Sequence, residues 1–177
     1  MAVRDEPSKR IGAASQFVEI PDLGKNRLTV SGILLSGISL ETYRKNSSVQ
    51  SAGEKSDGAN LQADPNANPA VRLFKTDQAL VYAFNIYNAR IEKNTGKPQL
   101  KTQLRIYRDG KLIFPGSEEA FLPLDQTDPK RLLGAGVVQM GTRMVPGEYV
   151  LQLVVTDLLA KLKENVTSQW IDFEVFD

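Results

Sequence analysis

Residues 146–157 read PGEYVLQLVVTD. Tyr149, Leu151, Leu153 and Val155 recur at every second position, the period of a strand with one buried face. Pro146 and Gly147 mark a turn before it, and Asp157 ends it. The same reading extends outward. TSQWIDFEVF (167–176) is a closing strand. LKTQLRIYRDGKLIF (100–114) is a hairpin, with Leu100, Thr102, Leu104 and Ile106 on one face. Its tight turn is Asp109-Gly110, two residues that tolerate positive φ. LVYAFNIYN (80–88) places Leu80, Tyr82, Phe84 and Ile86 together. RLTVSGILLS (27–36) and AGVVQMG (135–141) complete the set. Helical spacing is scarce: DPKRLL (128–133) and LLAKLK (158–163) are one-turn candidates.

About seven short strands separated by turns predict an all-β fold, an immunoglobulin-like antiparallel β-sandwich over residues 23–177. PGEYVLQLVVTD resembles the penultimate strand of many bacterial immunoglobulin-like modules. Tyr149 then has two readings: a tyrosine corner, with its hydroxyl bonded to backbone, or an ordinary half-buried strand tyrosine.

The two ends of the chain repeat each other. AVRDEPSKRIGAASQFVEI (2–20) lies over VVTDLLAKLKENVTSQWIDFEV (154–175), matching Asp5 to Asp157, Gln16 to Gln169, Phe17 to Trp170 and Glu19 to Asp172. The later copy is the last hairpin of a sandwich. Residues 1–22 therefore read as the last hairpin of a preceding sandwich plus a linker, with Pro21 and Gly24 breaking the strand. Separated from its own sheet, a hairpin at 1–20 has open edges that favour self-association.

RIGAASQFVEIPDLGKNRLTVSGILL (10–35), DPNANPAVRLF (64–74), NIYNAR (85–90), GKPQLKTQLRIYRDGK (96–111) and TSQWIDFEV (167–175) carry a family resemblance. Together they look like the C-terminal region of bacterial exported proteins related to von Willebrand factor A domains. The resemblance implies a periplasmic or extracellular setting, with neighbouring domains of the same polypeptide as partners. The A-domain metal motif, Asp-x-Ser-x-Ser, does not occur in this sequence.

Composition narrows the function classes. The 22 basic and 21 acidic residues nearly cancel, and Cys and His are absent. No polybasic run suits nucleic acid or a membrane surface, and no apolar run is long enough for membrane insertion. Disulfides, Cys/His zinc sites and Ser-His-Asp triads are excluded. No cofactor is expected. GILLSG (32–37) lacks the Lys of a phosphate loop, and Gly32 reads instead as a bulge or close-approach glycine. Glu118-Glu119 and Asp125/Asp128 are the only obvious acid pairs. The first alternates across a strand and the second sits in a turn capped by Asp128, so neither suits paired-acid catalysis.

The segment 37–70 is too long for an ordinary loop and is rich in small polar residues, so it reads as a mobile insertion after the first strand. Asp57, Asn60, Asp64 and Asn66 lie in it without the spacing of a calcium loop. Trp170 shares a strand face with Asp172 and Glu174, opposite Phe173 and Val175. It reads either as an interaction anchor or as a rim residue beneath the insertion. The expected function is a non-catalytic spacing or protein-contact module. The alternative is a carbohydrate-binding module using Trp170 and Tyr43.

Overall fold

The computed structural model describes residues 2–4, 7, 11–13, 23–44, 72–122, 128, 130–140 and 144–177. The fold is an all-β sandwich of two packed sheets. The smaller sheet is centred on β6 (Gln78–Tyr87). On one side β6 pairs with β10 (Arg131–Gln139), and on the other with β3 (Thr29–Val30) and β4 (Leu34–Ser39). The larger sheet runs from β5 (Leu73–Lys75) through β12 (Val166–Phe176) and β11 (Gly147–Asp157) to β7 (Leu100–Arg108). Beyond β7 lie β8 (Lys111–Pro115) and β9 (Glu119–Ala120). Every pair is antiparallel except β5 with β12. The purely antiparallel expectation is corrected there, because the chain crosses between sheets to reach β5.

The core forms where the two alternating faces meet. Tyr149, Leu151, Leu153, Val155, Phe173 and Val175 pack from the larger sheet. Leu35, Leu80, Phe84, Ile86 and Leu132 pack from the smaller one. Each such side chain contributes roughly 1.5–3 kcal/mol by leaving water.

RLTVSGILLS is not one strand. Val30 faces Ile86 and Leu34 faces Ala83, so residues 31–33 oppose only residues 84 and 85. The extra residue is a bulge at Gly32. Ser31 N–H donates to the Asn85 carbonyl and Asn85 N–H to Ser31 Oγ, each at 2.9 Å. The bulge shifts the inside-outside phase, so Val30 and Ile33 are both buried. A Cβ at Gly32 would meet nothing within 4 Å, so this glycine marks the bulge and no close approach.

Three further expectations are corrected. Arg131–Leu133 open β10 and are not helical. Asp128 instead makes a turn, its carboxylate accepting from Lys130 N–H at 2.9 Å. LLAKLK forms tight turns. The insertion does not begin at Gly37: Gly37–Ser39 belong to β4, and residues 40–44 form one helical turn. Residues 45–71, with the candidate calcium oxygens, lie outside the described residues.

Of the terminal repeat, β1 (Ala2–Arg4) and β2 (Ile11–Ala13) form a separate two-stranded sheet. Arg4 faces Ile11, whereas copying the Thr156–Val166 pairing would place Ala13 there. The offset is two residues, which preserves faces. SQFVEI (15–20) lies outside the described residues. No helix among the described residues is long and apolar enough to cross a membrane.

Candidate functional site

The outer face of the larger sheet carries the site. On β12 the even positions point outward, so Ser168, Trp170, Asp172 and Glu174 are exposed while Phe173 and Val175 are buried. Trp170 is 56% exposed. Its cross-strand partner on β11 is Gln152, which in turn faces Arg105 on β7. Tyr107, one step along β7, reaches back toward Trp170. The two ring centroids are 6.4 Å apart with planes at 46°. The Tyr107 hydroxyl donates to Gln152 Oε1 at 3.1 Å, and Gln152 is only 7% exposed. Arg105 is held in turn, its guanidinium donating twice to Gln103 Oε1 at 3.0 and 2.7 Å.

Around the rings lies a concavity of about 710 Å³ whose charged lining is mostly acidic: Asp109, Glu148, Asp172 and Glu174. Arg72, entering β5, is the one cation among the lining residues, and it pairs with Asp172 at 2.6 Å. Glu148 and Glu174 stand directly opposite each other across β11 and β12. Like charges so placed repel.

The floor of this region is rigid. Tyr149 is buried, stacks on Phe173 at 5.5 Å, and donates its hydroxyl to the Val145 carbonyl at 2.5 Å. The Arg108 guanidinium covers the ring at 5.4 Å and donates to the Pro146 carbonyl at 3.1 Å. Gly147, at φ +146°, admits that guanidinium: a Cβ there would approach it to 2.9 Å. Asp109 and Gly110, at φ 50° and 72°, make the tight turn that joins β7 to β8. Asp157 is fully buried at the far end of β11. Its carboxylate accepts from Arg90 N–H at 2.8 Å and Leu159 N–H at 2.9 Å.

Tyr43 is not part of this face. It is half-buried in the turn 40–44 and packs on Ile38, Ala79 and Val81, on the outer side of the smaller sheet. The expectation that Tyr43 is an exposed aromatic is therefore corrected. Glu118 pairs with Lys101 at 3.5 Å, and Glu119 belongs to β9. Asp125 lies outside the described residues. Among the described residues no group of three or more acids could hold a metal ion.

A second opening, of about 700 Å³, lies between the sheets where β8 and β10 are both edge strands. Tyr82 and Glu119 line it. Burial raises the Tyr82 phenol above its ordinary pKa, with a smaller push from the Glu119 carboxylate.

Sequence reading missed Tyr107, Gln152 and Arg72. Their outward placement follows from alternation for the first two, but their proximity to Trp170 depends on a register set across three strands. No protein-family model matches the chain, and no curated protein matches it.

Proposed function

We propose that the chain is an immunoglobulin-like, non-catalytic interaction module of a multidomain exported bacterial protein related to von Willebrand factor A-domain proteins. It works in the periplasm or outside the cell, in domain spacing or protein contact. Two packed sheets and a core tyrosine bonded to the carbonyl four residues earlier support the immunoglobulin-like form. The exported setting draws on the sequence resemblance. Among the described residues, the β1–β2 pair shares no ladder with the sandwich, which supports reading residues 1–22 as the end of a preceding domain. The observation that carries the functional reading is the Trp170–Tyr107 pair, an exposed and a half-buried ring on a sheet face that needs neither for its core. Large aromatic groups held rigid in this way are favoured anchors in interfaces.

The test compares wild type with Trp170→Ala. Binding to neighbouring segments of the parent protein should fall while the melting temperature holds. Ester or glycoside hydrolysis that vanishes in Glu118→Gln or Glu119→Gln would overturn the reading. Carbohydrate binding is the second reading, favoured by the same aromatic pair, since a pyranose ring can stack there. Glycan binding that needs both Trp170 and Tyr107 would select it.

A further inference from the structure

The larger sheet is incompletely covered beside β12. That strand has eleven residues, but β5 pairs only with Glu174 to Phe176. From Val166 to Asp172 no described strand forms a ladder on that side, although β3 of the smaller sheet packs close to β12. The covered end fixes which backbone groups face outward there. Glu174 N–H donates to the Arg72 carbonyl, and Thr76 N–H donates to the Phe176 carbonyl, each at 2.9 Å. Direction alternates along an unbroken strand, so the N–H groups of Ser168, Trp170 and Asp172 point to the same open side. The Trp170 N–H turns to the side chain of its own neighbour, Gln169 Oε1, at 3.3 Å. That bond is long for an amide donor, and an incoming carbonyl would improve on it.

The chemistry beside this edge selects among occupants. An apolar strand would gain backbone bonds but bring no charge to the mostly acidic concavity. A glycan would use the rings but not the strand edge. A cationic side chain over Trp170 and Tyr107 would meet the negative faces of both rings, in a concavity whose charged lining is mostly acidic. Arg72 pairs with Asp172, and Arg108 lies 3.7 Å from Asp109, so the ion pairs of these two cations are with other acids than Glu148 and Glu174.

We infer that the open stretch of β12, Val166 to Asp172, receives an extended basic segment of a partner protein as an added strand, with a Lys or Arg laid over Trp170 and Tyr107. This rests on the protein-contact reading above and names the partner's chemistry. Backbone bonds supply affinity and the alternate side chains supply selectivity.

The experiment uses the full chain and fluorescent peptides of about ten residues, a length that spans a strand. One alternates Thr with Lys, one alternates Thr with Glu, and one carries prolines that forbid pairing. The Lys peptide should bind alone of the three and weaken in high salt. Trp170→Ala should reduce its affinity at least about tenfold, as should Ser168→Pro, which removes one open-side donor and leaves the β11 ladder intact. Should Ser168→Pro not fold, Glu174→Lys serves, with the same loss expected from charge reversal. Amide exchange at Ser168 and Trp170 should slow when the Lys peptide binds. No Lys-peptide binding, equal binding of the Glu peptide, indifference to Trp170→Ala, or binding without slowed exchange would each overturn the inference. So would self-association abolished by Ser168→Pro, which would assign the edge to a second copy. The parent reading fails on a separate result: Trp170-dependent glycan binding or carboxylate-dependent hydrolysis.

Discussion

The outer faces of the two sheets differ more than their inner faces do. On the larger sheet most outward positions are long and polar: Lys101, Gln103, Arg105 and Tyr107, then Glu148 and Gln152, then Trp170, Asp172 and Glu174, with Val150 and Val154 between. On the smaller sheet they are mostly uncharged, with Arg131 at the start of β10 the exception. Leu34, Ala83 and Ala135 form one row across β4, β6 and β10, and Ser36, Val81 and Val137 form the next. The turn at 40–44 covers Ile38 and Ala79, while Leu34 remains 66% exposed. Both sheets bury one face for the same reason, so the inner faces converge on Leu, Val, Ile, Phe and Tyr. The outer faces are free of that demand, and their divergence is where specific chemistry is expressed.

If this contrast is correct, the cost of a substitution should follow which way a side chain points. The largest effect belongs beneath the charged face. Tyr149→Ala should cost roughly 3–5 kcal/mol, through the lost ring and the cavity it leaves. Tyr149→Phe should cost only about 1 kcal/mol, for the bond to Val145. Denaturant unfolding measures both, and a Tyr149→Ala protein as stable as wild type would break the account of the core. Next comes Asp157→Ala at about 2–4 kcal/mol, because the part-buried bonds from Arg90 N–H and Leu159 N–H lose their charged, buried acceptor. That pair ties the link between the sheets to the end of β11, so a small effect would mean the sheets are joined elsewhere.

Gly134→Ala probes the smaller sheet. Its added methyl would run into the Phe84 ring, which crosses the strand at that point. A loss of about 1–3 kcal/mol is expected from overpacking. Tyr82 sharpens the same comparison by pH. Its folded pKa is raised, so the folded chain holds the phenolic proton more tightly than the unfolded chain. Its contribution is complete below about pH 10, where the unfolded phenol titrates, and is lost as pH climbs past that value. Tyr82→Phe should therefore soften alkaline destabilisation, read as unfolding free energy at about pH 8 against about pH 11. The smallest effect is Trp170→Ala, within about 0.5 kcal/mol by the same unfolding assay, as for an exposed position outside the core.

Much of the sandwich was legible because its signals are local. Asp109-Gly110 names its own turn, and Tyr149 to Val155 name their own face. Trp170 could be placed outward by counting along one strand. Other features needed partners that local pattern does not reveal. Arg131, Leu132 and Leu133 suit a helical turn as well as a strand, and only pairing with Tyr87, Ile86 and Asn85 decides between them. Tyr43 sat in polar sequence that suggested exposure, yet an apolar patch on the neighbouring sheet covers it. The Trp170–Tyr107 pair rests on register across β11. The ion pair of Arg72 with Asp172 joins positions 100 apart.

That separation also governs when the molecule can become whole. β5 has its ladder only with the last residues of β12, Leu73 beside Glu174 and Lys75 beside Phe176. During synthesis the β4–β6 pair can form before β12 is made, since Gln78 and Ser39 are both earlier in the chain. Leu73 to Lys75 must wait until β12 has left the ribosome. Pairings that distant are slow to form, and exposed apolar surface in the interval invites aggregation. Phe74, completely buried in the finished protein, spends that interval uncovered. Loss of Glu174 to Phe176 would remove the parallel pair, and with it the cover over Phe74.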